Sequence, residues 1–125
     1  DKLIRLFHRV PGFIAILSGA EHRFEFVNEA YRRLFGERSA EGRTVREVFP
    51  ELAGQGIYET LDQVYRTGER FIARDLPVAI ALPGESPQEM FLDFTYEAMR
   101  DESGAIVGVF CEGYDVTARR RAERE

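Results

Sequence analysis

At 125 residues, 44% of them hydrophobic, the chain has the size of one ordinary domain with one core. Its net charge of −5 argues against nucleic acid as a main partner, because phosphate contacts need clustered Lys and Arg. One cysteine excludes an internal disulfide and a CxxC metal site, which fits a reducing cytoplasm, and no apolar run approaches the ~20 residues of a bilayer span. The chain begins at Asp1 with no preceding Met, so it is expected to be a piece of a longer protein whose membrane anchor, if any, lies elsewhere.

Residues Lys2–Val10 place Leu3, Leu6, Phe7 and Val10 on one helical face, with Arg5 and Arg9 able to reach water, and Pro11-Gly12 ends the segment. That face suits a partner chain and the protein's own sheet equally. Phe13–Ser18 and Arg23–Val27 read as strands around a short turn, in which His22 is expected to be solvated. Asn28 can cap the next helix by accepting from an N–H near Tyr31; Tyr31, Leu34 and Phe35 form its stripe, and Gly36 stops it. Thr44 and Glu47 form a capping box ahead of Val45, Val48, Phe49 and Leu52.

Ile57–Thr67 carries the clearest helical period, with Ile57, Leu61, Val64 and Tyr65 on one stripe and Gly68 closing it. Phe71–Leu82 returns to strand character, and Pro77 implies an edge, a bulge or a bend. Met90–Met99 alternates, with Met90, Leu92, Phe94, Tyr96 and Ala98 opposite Asp93, Thr95 and Glu97. After the turn Asp101–Gly104, Ile106–Tyr114 is apolar and β-branched. Val107, Val109, Cys111 and Gly113 make a small face suited to a pocket; Ile106, Phe110, Glu112 and Tyr114 make a larger one suited to a covered surface. The strand runs straight into Asp115-Val116-Thr117 and a charged tail, Ala118–Glu125. Asp115 or Thr117 can cap that tail, which taken alone is expected to fray.

Two strands, several short helices and three longer strands make an antiparallel sheet with helices gathered on one face, an α+β arrangement. Tyr31, Phe35, Phe49, Ile57, Leu61, Tyr65, Phe94, Tyr96, Val109 and Cys111 are the candidates to enclose a ligand pocket, a Phe-rich shell with tyrosine hydroxyls as polar handles. The same side chains also serve as plain core packing. Leu3, Leu6, Phe7, Val10, Phe110 and Tyr114 are candidates for a dimer interface. Cys111 has no His, cation or helix terminus beside it in sequence and reads as a core residue, not a nucleophile. His8 and His22 are isolated and make no metal site. Carboxylates such as Asp93, Glu97 and Glu112 could pair as acid and base in a small α+β enzyme, but an outer sheet face is the simpler place for them.

The order of these segments resembles PAS sensor domains over nearly the whole chain. The first hairpin, NEAYRRLFG at 28–36, GRTVREVFPEL at 42–52, Gly68, and GAIVGVF followed by the Asp115-Val116-Thr117 triad fall in that family's order. The resemblance implies a five-stranded antiparallel sheet in the order 2-1-5-4-3, with a flanking helix at 1–10, the sensor domain at 11–117 and the start of an output helix at 118–125. It further implies a cytoplasmic signal-transduction module whose triad is the joint to a downstream output domain. The expected output is a sensor histidine kinase of a two-component phosphorelay; a cyclic-dinucleotide cyclase or a transcription regulator would keep the module. The fragment itself, with no phosphoacceptor region or ATP-binding motif, is not expected to be an enzyme. No cofactor is expected either. Gly42–Phe49 lacks the cysteine of flavin-binding relatives, and Ile57–Thr67 lacks the histidine of haem-binding ones. The implied partners are a second copy of the chain, the downstream domain and a small apolar or aromatic ligand. The alternative is a dimerisation or interaction module without a ligand.

Overall fold

Helix α1, Lys2–Arg9, is capped by Asp1, whose carboxylate accepts from the Leu3 amide at 2.9 Å. The computed structural model describes residues 1–38, 40–82 and 84–124. Strands β1 (Phe13–Ser18) and β2 (Arg23–Val27) form the first hairpin, followed by α2 (Glu29–Phe35), α3 (Val45–Val48), a 3-10 turn at Pro50–Leu52, and α4 (Ile57–Thr67). Strands β3 (Phe71–Ile80), β4 (Gln88–Arg100) and β5 (Ile106–Asp115) follow, and α5 (Thr117–Arg124) leaves the sheet. The five strands lie antiparallel in the order β2-β1-β5-β4-β3, so the last strand to be made occupies the centre.

Each local element follows from its residues. The Asn28 side chain accepts from the Tyr31 amide at the start of α2, and Gly36 ends that helix with a positive φ of 85°. Thr44 and Glu47 close the capping box of α3 in both directions. Helix α4 buries Ile57, Tyr58, Leu61 and Val64 against the inner face of the sheet. Strand β3 tolerates Pro77 because it is an edge strand, and it also bulges between Ala73 and Leu76, with Asp75 at a φ of 49°.

The helices α2, α3 and α4 share one face of the sheet, and the core fills the space between them. Helix α1 lies across the opposite face, where Phe7 packs on Phe26 and Phe110 with ring centroids 5.9 and 6.2 Å apart. Asn28 ties these layers together. Fully buried, it accepts from Ile14 N and donates to the carbonyls of Phe7 and Gly12.

Two sequence expectations need correction here. His22 is buried, not solvated, because Asp62 of α4 accepts its Nε2 at 2.7 Å and the ring stands edge-on to Tyr65. Val107 was expected on the inner face with Val109 and Cys111 but is exposed. The β4–β5 register slips between Met99 and Arg100, which leaves Val107 as the extra residue of a bulge.

Candidate functional site

A cavity of about 70 Å³ lies between the inner face of the sheet and the helices. Eight of the ten candidate pocket residues line it: Tyr31, Phe35, Phe49, Ile57, Leu61, Phe94, Tyr96 and Cys111. Phe13, Phe24, Leu92 and Val78 complete much of the wall. The other two candidates lie nearby. Val109 is fully buried in the core without facing the cavity, and Tyr65 is drawn aside to His22. Phe13 and Phe24, called strand residues by their alternation, are missing from the candidates because alternation does not say which inward residues meet a void.

Among the described residues, three polar groups belong to cavity-lining side chains. Burial pushes the phenols of Tyr31 and Tyr96 well above their ordinary pKa, with the Cys111 thiolate a further unfavourable neighbour. Burial likewise pushes the Cys111 thiol far up, aided by Glu112, so all three groups stay neutral. A protonated, enclosed thiol is a poor nucleophile.

A half-buried ion pair closes one flank. Arg38 stacks over the Phe49 ring at 4.2 Å and meets Glu51 at 3.0 Å. Its guanidinium also donates to the carbonyls of Phe35, Val48 and Ala81. Glu51 in turn accepts from Ala81 N, and Gln55 exchanges both its amide groups with the Ala79 backbone. Desolvation opposes the charge on Glu51, but Arg38 and the backbone donors outweigh it and hold its carboxyl below the usual range. Sequence reading missed this group, whose members become neighbours only when β3 returns beside the 3-10 turn.

The exit is built on the same strands. Val116 N donates to the Phe91 carbonyl at 2.8 Å, and Phe91 N donates to the Thr117 hydroxyl oxygen at 2.9 Å. Asp115 accepts from the Thr117 amide at 2.9 Å and from its hydroxyl. Helix α5 then turns back over the outer face of the sheet. Arg119 reaches Asp75 at 2.7 Å and Asp93 at 3.6 Å, and Arg120 lies over the Phe91 ring at 5.4 Å. Hydrogen bonds and the neighbouring carboxylates raise the Arg119 pKa, with Asp75 first among them. The tail was expected to fray when taken alone; these tertiary contacts are what its own sequence lacks.

The sequence pattern of the PAS fold matches residues 7–121. The chain belongs to the PAS family. Among solved structures, the VqmA dimer of Vibrio cholerae is 26% identical with a TM-score of 0.73, covering 94% of this chain and 52% of that one. An RNA-binding light-oxygen-voltage receptor is 17% identical with a TM-score of 0.75, covering 94% of this chain and 33% of that one. The PAS domain of the histidine kinase ThkA is 18% identical with a TM-score of 0.63, covering 83% of this chain and 99% of that one. This PAS chain thus spans about half of VqmA and a third of the receptor.

The candidate interface residues divide. Leu3, Leu6 and Tyr114 are exposed, at 55%, 57% and 47%, whereas Phe7, Val10 and Phe110 are half-buried within the PAS domain itself. Asp93 and Glu97, the carboxylates considered for acid–base chemistry, are engaged by Arg119 and Arg70 on the outer face, away from the cavity. No helix among the described residues is long and apolar enough to cross a membrane.

Proposed function

We propose that this PAS domain senses a small ligand in its central cavity and passes the change through Asp115-Val116-Thr117 to an output domain further along the chain. The supporting observation is that cavity and exit share two strands. Leu92, in the cavity wall, pairs directly with Asp115, and its neighbour Phe91 holds both Val116 and Thr117. At about 70 Å³ the cavity is smaller than the ~150 Å³ that encloses benzene. A ring-sized ligand therefore enters only by spreading the walls, and β4 and β5 are two of them. Filled and empty states then differ in how firmly α5 is docked, which is a population shift between two arrangements.

The output we favour is a histidine kinase, on the strength of the strand-to-charged-helix exit. The module itself carries no catalytic role in this reading, and it works in the cytoplasm. Neighbours of this fold serve different outputs, so the fold alone does not select one. A second reading, a dimerisation module, is favoured by the exposed Leu3 and Leu6 on α1 together with Tyr114; light scattering that finds a strict monomer at high concentration would remove it.

Thr117→Val tests the relay. It takes the acceptor from Phe91 N while keeping the shape of the joint. The loss is about 1–2 kcal/mol of docking, a roughly fivefold to thirtyfold shift towards undocked α5. In the chain joined to its natural downstream domain, output should become nearly constant with and without stimulus. Output that keeps its full response in this variant would show that the joint does not carry the signal.

A further inference from the structure

The buried polar side chains of this protein are mostly matched by partners inside it. Asn28 makes four hydrogen bonds, and the Tyr58 hydroxyl donates to the Phe49 carbonyl. Tyr31 and Tyr96 differ: among the described residues neither hydroxyl has a hydrogen-bond partner, and both side chains line the cavity. Tyr96 is buried, at 7% exposure, and Tyr31 is half-buried. Among the described residues, the fully buried side-chain atoms without a partner are His22 Nδ1 and Arg120 Nε, both outside the cavity wall, whereas the two tyrosine hydroxyls keep accessible surface. Two unpartnered hydroxyls on the wall of one void are donors that a third party inside it can engage.

The charge around the cavity narrows what that third party is. Among the described residues, no Asp, Glu, Lys, Arg or His lines it. Arg38, the cation flanking Phe49, is already committed to Glu51 and three backbone carbonyls, so it has nothing left for an anion. Glu51 is equally committed, to Arg38 and Ala81 N. A ligand charge of either sign would be buried without a counter-ion, at a cost far above that of a missing hydrogen bond. Tyr31 and Tyr96, held neutral by burial, present O–H donors.

We propose that the cavity takes an uncharged, single-ring molecule bearing hydrogen-bond acceptors, which the hydroxyls of Tyr31 and Tyr96 recognise. A single ring already has to spread the walls, which keeps larger ligands out, and the Phe-rich lining favours a flat one. The inference rests on the sensing role proposed above, and it adds how the ligand is selected.

Four probes of similar bulk separate the possibilities: γ-pyrone, which is neutral with acceptors; toluene, which lacks them; benzoate; and tetramethylammonium. Binding is read from the NMR shifts of cavity-lining residues during titration. In the wild type, γ-pyrone should bind about tenfold more tightly than toluene, one or two hydrogen bonds' worth. Neither ion should perturb the cavity. In Tyr31→Phe/Tyr96→Phe, γ-pyrone should weaken about tenfold while toluene binds at least as well as before. The double variant only removes unmatched hydroxyls, so it should keep the wild-type thermal midpoint or exceed it.

Equal binding of toluene and γ-pyrone, γ-pyrone binding unchanged in the double variant, or a cavity response to either ion would overturn the ligand class while leaving ligand sensing in place. If none of the four perturbs the cavity at millimolar concentration, the ligand class and the sensing role fall together.

Discussion

Asn28→Ala should destabilise the protein by about 3–5 kcal/mol, seen as a large drop in the urea unfolding midpoint. The side chain is wholly buried. It holds Ile14 N at 2.8 Å and Tyr31 N at 3.1 Å while donating to the Phe7 and Gly12 carbonyls, each at 2.9 Å. Alanine orphans all four backbone groups, and the tight space among β1, α1 and α2 offers little access for replacement water. Much of the coupling between α1 and the sheet goes with them, leaving Phe7 against its two rings and His8 accepting from Glu29 N.

Asn28→Asp refines the test. It keeps the acceptor for Tyr31 N but sets a carboxylate against two carbonyls, so its folded pKa must lie above its unfolded one. Stability should therefore be greatest at low pH and fall as the pH rises through that folded value. A loss under about 1 kcal/mol in the alanine variant would mean that the layers are not joined through this residue.

Gly113→Ala is the second large effect. Gly113 lies on the inner face of the central strand, paired with Phe13 on one side and Phe94 on the other. An added methyl would stand 2.6 Å from Phe94 Cβ and 2.8 Å from Phe13 Cζ, and would overlap the Asp93 carbonyl. Alanine normally gains about 0.5–1 kcal/mol over glycine in a strand, but overpacking here costs about 3 kcal/mol or more, and overpacking wins. The central strand has neighbours on both sides and little freedom to shift. The expected result is a clear fall in the thermal midpoint. Gly104→Ala makes a useful contrast, because Gly104 has open space beside it and a φ of 90°, so any loss there comes from the backbone alone.

How far the sequence could be read depended on the range of each interaction. The bounds of helix α4 were legible to the residue, because its period and Gly68 are written within one segment. So was the Thr44–Glu47 box, where both partners sit three residues apart. The alternation of β4 and β5 marked them as strands, but their place in the sheet came from the PAS resemblance, since period alone does not choose neighbours. Failures began where a partner lies far along the chain. His22 looked solvated beside Glu21 and Arg23, yet its partner Asp62 is 40 residues on. Tyr58 sits beside the expected stripe of α4 and is nonetheless buried, because its hydroxyl reaches the Phe49 carbonyl and Arg46 covers its ring at 4.3 Å. Most of the cavity wall was foreseen from inward-facing aromatics. Whether a void lay between them stayed open, since the difference between a packed and an incompletely packed core is a matter of a few side-chain volumes.

In the proposed mechanism the contents of the cavity are felt at the exit helix. Ala15→Leu puts that to a direct test without a ligand, because Ala15 lines the cavity and pairs with Cys111 on β5. The larger side chain stands in for an occupant. Amide hydrogen exchange is then followed at Val116, Thr117 and Arg120, which in the docked state donate to Phe91 O, Asp115 Oδ1 and Val116 O. Exchange should be about tenfold faster at these three amides, with Val64 in α4 unchanged. Folded protein with a filled cavity and unaltered protection at Val116, Thr117 and Arg120 would contradict it.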